Sequence, residues 1–147
     1  MSTVSPDWEI SPELALAYLQ ASIVRADVGA IAARLRLYTT TRPATILDAH
    51  TDTPQAVITL KKPCGIITSG TLVLLPADAG GAMVQHNGMP RWGDWVTGDG
   101  AVLAHCDVTD MDHEGGLRVV GGGTPVGETS PMLYAGGLVQ LGLVAFT

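Results

Sequence analysis

Residues 91–108 read RWGDWVTGDGAVLAHCDV, and this stretch decides the fold class. Trp92, Asp94 and Val96 alternate with Gly93 and Trp95, the period of two that belongs to a strand. Thr97, Gly98, Asp99 and Gly100 follow, and glycines on both sides of an aspartate supply the positive φ of a tight hairpin. The return arm alternates again, with Val102, Ala104, Cys106 and Val108 on one face and Leu103, His105 and Asp107 on the other. The result is a hairpin with arms of about six residues. Trp92 shares a face with Val96 and reads as core, which turns Trp95 toward a partner surface.

Upstream, Ser11, Pro12 and Glu13 start a helix: a capping hydroxyl, a proline at the first position and a carboxylate at the positive dipole end. Leu14, Tyr18, Ala21 and Val28 recur at helical spacing as an apolar stripe until Gly29 stops the helix, and this stripe is a candidate interface, in cis or in trans. From Ile31 the period becomes two, with Ile31, Ala33, Leu35 and Leu37 on one face and Arg34 and Arg36 on the other. Residues 39–54, rich in Thr, Asp and Pro, read as a long exposed connection. Short strands follow at 55–61, 66–67, 72–75 and 82–85, separated by punctuation at 62–65 and 69–70. Residues 117–120 and 139–146 add more, the last apolar on both faces as a central strand would be. The sum is a mainly β chain: an N-terminal segment, 1–30, with an amphipathic helix, then one antiparallel, jelly-roll-like β-sandwich domain over 31–147.

Composition bounds the function. Of the 147 residues, 46% are hydrophobic and only 15% charged, against roughly 25% charged in an ordinary soluble domain. A surface so poor in charge favours association, so neighbouring subunits are expected to cover part of it. The net charge of −6, with Lys61 and Lys62 the only lysines, argues against nucleic-acid binding. The apolar stretch 132–146 is broken by Gly136, Gly137, Gln140 and Gly142 and is shorter than the roughly 20 residues a bilayer span needs, so no membrane partner is expected. The first residues lack a basic, then apolar, leader pattern, which predicts synthesis in the cytoplasm.

The acidic run Asp107, Asp110, Asp112, Glu114 is the nearest approach to a metal site, because oxygen ligands a few residues apart in a loop can surround a hard cation. Its spacing departs from a calcium loop, and a solvated tip ending at Gly115 and Gly116 is the expectation; no metal or cofactor is predicted. His50, His86, His105 and His113 are scattered without a catalytic signature, and His105 and Cys106, adjacent on a strand, point to opposite faces. No catalytic residue is assigned, and Cys64 and Cys106 read as buried thiols.

The order of pieces resembles a family of small structural proteins of tailed bacteriophages. A helix leads into LRLYTTTRPA at 35–44, where that family has a strand like LRIYTGTRPA; QAVITL follows at 55–60, then the tryptophan-bearing hairpin, and LVQLGLVAFT closes the chain at 138–147. The resemblance implies a non-enzymatic virion protein assembled in the host cytoplasm, in many copies, at the tail tip or baseplate. Its partners would be other virion proteins and copies of itself. A capsid decoration protein is the alternative within the particle. A carbohydrate-binding module for host adhesion, stacking Trp95 on a glycan, is the alternative of another class.

Overall fold

The structure, a computed structural model, describes residues 8–146. Most of the leader reading, and Thr147 at the end of the stretch LVQLGLVAFT, lie outside the described residues. Helix α1 runs Pro12–Ala26, with the Ser11 hydroxyl accepting the Leu14 amide at 3.1 Å. It stops two residues before Val28, and Gly29 takes φ +100°. Its inner face, centred on the buried Leu19 and Ala26 with Ile23 beside them, packs on strand β2 (Ala56–Thr68). The C-terminal end is clamped to the same strand: Asp27 accepts the Cys64 amide at 3.2 Å, and Lys62 donates to the Gly29 carbonyl. The helix therefore packs in cis; Leu14, Tyr18 and Ala21 of the expected stripe form its outward face, and Val28, past its end, is exposed as well.

Strand β1 spans Arg34–Tyr38. Ile31, expected to begin it, is exposed, because residues 28–31 are occupied in docking against the tip of the central hairpin. A side chain at Gly98 would collide with the Ile31 carbonyl, so only glycine allows that approach. The punctuation at Pro63–Gly65 does not divide β2; the irregularity in its pairing between Leu60 and Gly65 is a bulge that accommodates proline within one long strand. Ser69 and Gly70, both at positive φ, then form the two-residue turn into β3 (Thr71–Pro76).

The remaining strands are β4 (Ala82–Met83), β5 (Trp92–Val96), β6 (Val102–Thr109), β7 (Leu117–Val120), β8 (Leu138–Leu141) and β9 (Ala145–Phe146). They join in one nine-stranded sheet of order β4-β8-β7-β6-β5-β1-β2-β3-β9. Every pair is antiparallel except β6 with β7, so the sheet is mixed. The expected single C-terminal strand is two strands, second from one end of the order and last at the other, joined by residues 142–144. Four Cα steps reach about 15 Å, whereas seven strand spacings in a flat sheet span about 34 Å. The sheet must therefore curl until its ends approach. One curled sheet, a half-barrel, stands where the sequence predicts two facing antiparallel layers; alternation is the same in both, and a sheet curled on itself encloses a core that two sheets would otherwise share. Leu35, Leu37, Leu60, Leu72, Leu117 and Val139 are among its buried members.

Candidate functional site

The two faces of the central strands differ. On the core side, Leu35 lies opposite Trp95, and Leu37 opposite Gly93. On the outer side the register sets Arg36 opposite Asp94 and Tyr38 opposite Trp92, and β6 continues those rows with His105 and Asp107. Alternation alone aims these six side chains to one face; the pairing of β1 with β5 makes them neighbours.

Asp94 is the centre of the group, its side chain wholly buried. Arg36 donates to it twice, from Nε at 2.8 Å and from Nη2 at 2.6 Å, the paired geometry that suits a guanidinium to a carboxylate. The carboxylate holds Arg36 above its ordinary pKa, chiefly through that hydrogen bond. Tyr38 stacks on Trp92 with ring centroids 4.3 Å apart. Burial first, and the Asp94 charge second, push the Tyr38 phenol up to about 12.

The connection 39–54 crosses this face as a strap. Thr40 accepts the Trp92 indole N–H at 3.2 Å and donates to Asp52 at 2.9 Å. Arg42 reaches β6, donating from Nε to His105 Nδ1 at 2.8 Å, from Nη1 to Asp107 at 3.0 Å and from Nη2 to the His105 carbonyl at 3.2 Å. His50 lies edge-on to both Tyr38 and Trp92, its Nε2 3.6 Å from Asp94 and its Nδ1 3.8 Å from Asp52. The arrangement is a closed aromatic and ionic cluster in which proton-carrying groups meet under one long connection.

The acidic run does not converge. Asp107 is engaged by Arg42, while Asp110 organises its own loop, accepting from the Asp112 amide at 3.0 Å and the Thr124 hydroxyl at 2.6 Å and pairing with His113 at 2.6 Å. The Thr124 hydroxyl first, and His113 second, hold the Asp110 carboxyl below the usual carboxylate range. Asp112 and Glu114 are exposed, and no group of three His, Cys, Asp or Glu among the described residues could hold a metal ion. Trp95, expected at an interface, is only 6% exposed and packs beside Phe146 at 5.2 Å, because β9 returns to cover it. Its ring offers no face for a glycan. Cys64 and Cys106 are free thiols, and burial pushes them up to about 12 and about 11.

The helix stripe stays outside. Tyr18 is 51% and Val24 70% exposed, and Leu14, Ala21 and Val28 accompany them on the same outward surface. The cluster around Asp94 was not singled out by sequence reasoning, although an aspartate inside WGDWV facing the arginine side of RLRLY is its trace. Compared with protein-family models, with curated proteins and with solved structures, the chain matches none.

Proposed function

We propose that this protein is a non-enzymatic building block that works in many copies within a larger assembly, the virion of a tailed bacteriophage, at its tail tip or baseplate. The observation that carries the reading is the outward stripe of α1: apolar side chains held in the open on a helix whose inner face and C-terminal end are already fixed to β2. A single helix facing only solvent would be polar on that side, and the low charged fraction repeats the same signal over the whole surface. The virion setting rests on the strand and turn patterns of the sequence. The partners are other virion proteins and further copies of the chain.

Sedimentation velocity at about 100 μM, where contacts of ~10⁻⁴ M register, tests the adhesive surface. Wild type is expected to self-associate, and the double variant Tyr18→Glu, Val24→Lys to remain folded and monomeric. A monomeric wild type would overturn the reading of the stripe. Mass spectrometry of purified phage particles carrying the gene tests the setting, with the chain expected among the tail proteins.

A further inference from the structure

We propose that the mouth of the half-barrel is a binding site for a small neutral molecule, apolar except for one hydrogen-bond acceptor, such as a carbonyl oxygen, that accepts the Trp95 indole N–H. A cavity of about 100 Å³ lies where β9, at the end of the sheet order, returns over β5 and β6 at its middle. On one side it meets the core-side row of Leu35, Trp95 and Ala104, with Cys106 beside them, and on the other Val144 and Phe146. The space exists because nearby positions are small: Gly93 stands opposite Cys106, and Gly116 lies so close to Cys106 that a side chain there would collide with it. Strand β9 is only two residues long, so it covers Trp95 through the Phe146 ring, 5.2 Å away, without sealing the opening. Ala104 and Cys106 are accordingly half-buried, which marks the way in along β6.

The walls and the donor fix the class of ligand. Trp95 is only 6% exposed, yet its Nε1 has no hydrogen-bond partner among the described residues. A buried donor left unpaired costs free energy that an acceptor recovers, and the cavity is the open approach to this ring. Asp94 and His105 also border it, but strand alternation turns their side chains to the outer face. Burial holds the Cys106 thiol neutral. A charged ligand would therefore lose its hydration with nothing to replace it. A water molecule is poorly served as well: it needs about two to four polar partners, and the lining side chains offer one indole N–H and one weak thiol donor. Size follows from volume, since an apolar cavity of about 150 Å³ holds a benzene ring and this one suits about four or five non-hydrogen atoms. Barrel mouths are common places for such ligands. The site stands apart from the helix stripe and does not depend on the assembly reading above.

Cyclobutanone and methylenecyclobutane, the same shape without an acceptor, are the probes, titrated into the full chain and followed by NMR of the indole N–H groups. Cyclobutanone is expected to bind saturably in the millimolar range, as suits so small a ligand. It should move the Trp95 N–H proton downfield and leave that of Trp92, already bonded to Thr40, in place. Absence of a saturable shift at Trp95 overturns the proposal. Trp95→Phe is expected to weaken cyclobutanone about fivefold, the effect of one hydrogen bond, and methylenecyclobutane less than about twofold. Equal weakening of the two probes overturns the ligand class, which rests on that bond. Ala104→Leu, which fills the cavity, should abolish binding of both, and binding retained by the folded variant places the ligand elsewhere and overturns the site. If that variant does not fold, nuclear Overhauser contacts from cyclobutanone to Leu117 and Phe146 in the wild type decide: their presence supports the site and their absence overturns it.

Discussion

Trp92 and Trp95 stand three residues apart on one strand and both are buried, yet they belong to different kinds of interior. Trp95 lies among aliphatic side chains and Phe146, beside a cavity of about 100 Å³, and its indole nitrogen has no hydrogen-bond partner among the described residues. Trp92 lies among Tyr38, His50 and His105, with its N–H accepted by Thr40. The first interior is closed by the curl of the sheet, the second by a strap held through specific polar contacts. Apolar packing tolerates local change in proportion to the area lost, whereas a polar cluster fails when one partner is removed and another is left buried and unpaired.

The most severe way to break that contrast is Asp94→Ala, which leaves Arg36 without its carboxylate. A loss of about 3–5 kcal/mol is expected in urea unfolding, and the paired replacement Arg36→Met with Asp94→Leu should recover most of it. If the single variant costs no more than an ordinary surface substitution, the outer face is not the cooperative unit described.

The apolar side is probed through its thiols. With the thiols of Cys64 and Cys106 pushed up to about 12 and about 11, reaction with a thiol reagent at pH 8 should be more than about a hundredfold slower than for a free cysteine, until denaturant opens the core. The sign for stability follows from the same shifts. Groups whose protons are held more tightly when folded contribute fully below the unfolded thiol value near about 8.5, and that contribution is lost as pH rises toward 11 and 12. Melting temperature should therefore fall through alkaline pH, with Tyr38 adding to the decline.

A smaller difference separates the tryptophans themselves. Trp92→Phe removes an N–H bonded to Thr40, while Trp95→Phe removes one without a partner among the described residues. The first is expected to cost about 1 kcal/mol more than the second by chemical denaturation; equal costs would erase the distinction. The smallest expected effect is that of a chelator. With Asp107 and Asp110 committed to Arg42, Thr124 and His113, EDTA should leave the melting temperature within about 2 °C, and a fall of more than about 10 °C would restore the acidic run as a metal site.

Much of the architecture was readable locally. Ser11, Pro12 and Glu13 mark the helix start because capping acts within one turn, and the hairpin at 92–109 follows from alternation on either side of its glycines. Trp95 was misread because the hairpin's two faces look alike until β9 arrives from 50 residues away to cover one of them. Helical spacing reads the outward stripe of Leu14, Tyr18 and Ala21 as a candidate contact face, whereas the face that packs on β2 is built on Leu19, Ile23 and Ala26, which only the docked helix distinguishes.

By itself the sequence determined the β-rich class, the single N-terminal helix with its caps, the long connection 39–54 and the poverty of surface charge, all of them properties of short stretches or of composition. Only the tertiary structure decided that nine strands form one curled mixed sheet, that β1 pairs with β5 across more than fifty residues, and that the strap closes over the cluster so formed. The physical reason is that a strand's period tells which side chains share a face, while the choice of neighbour and register depends on contacts distant in the chain, which no local pattern encodes.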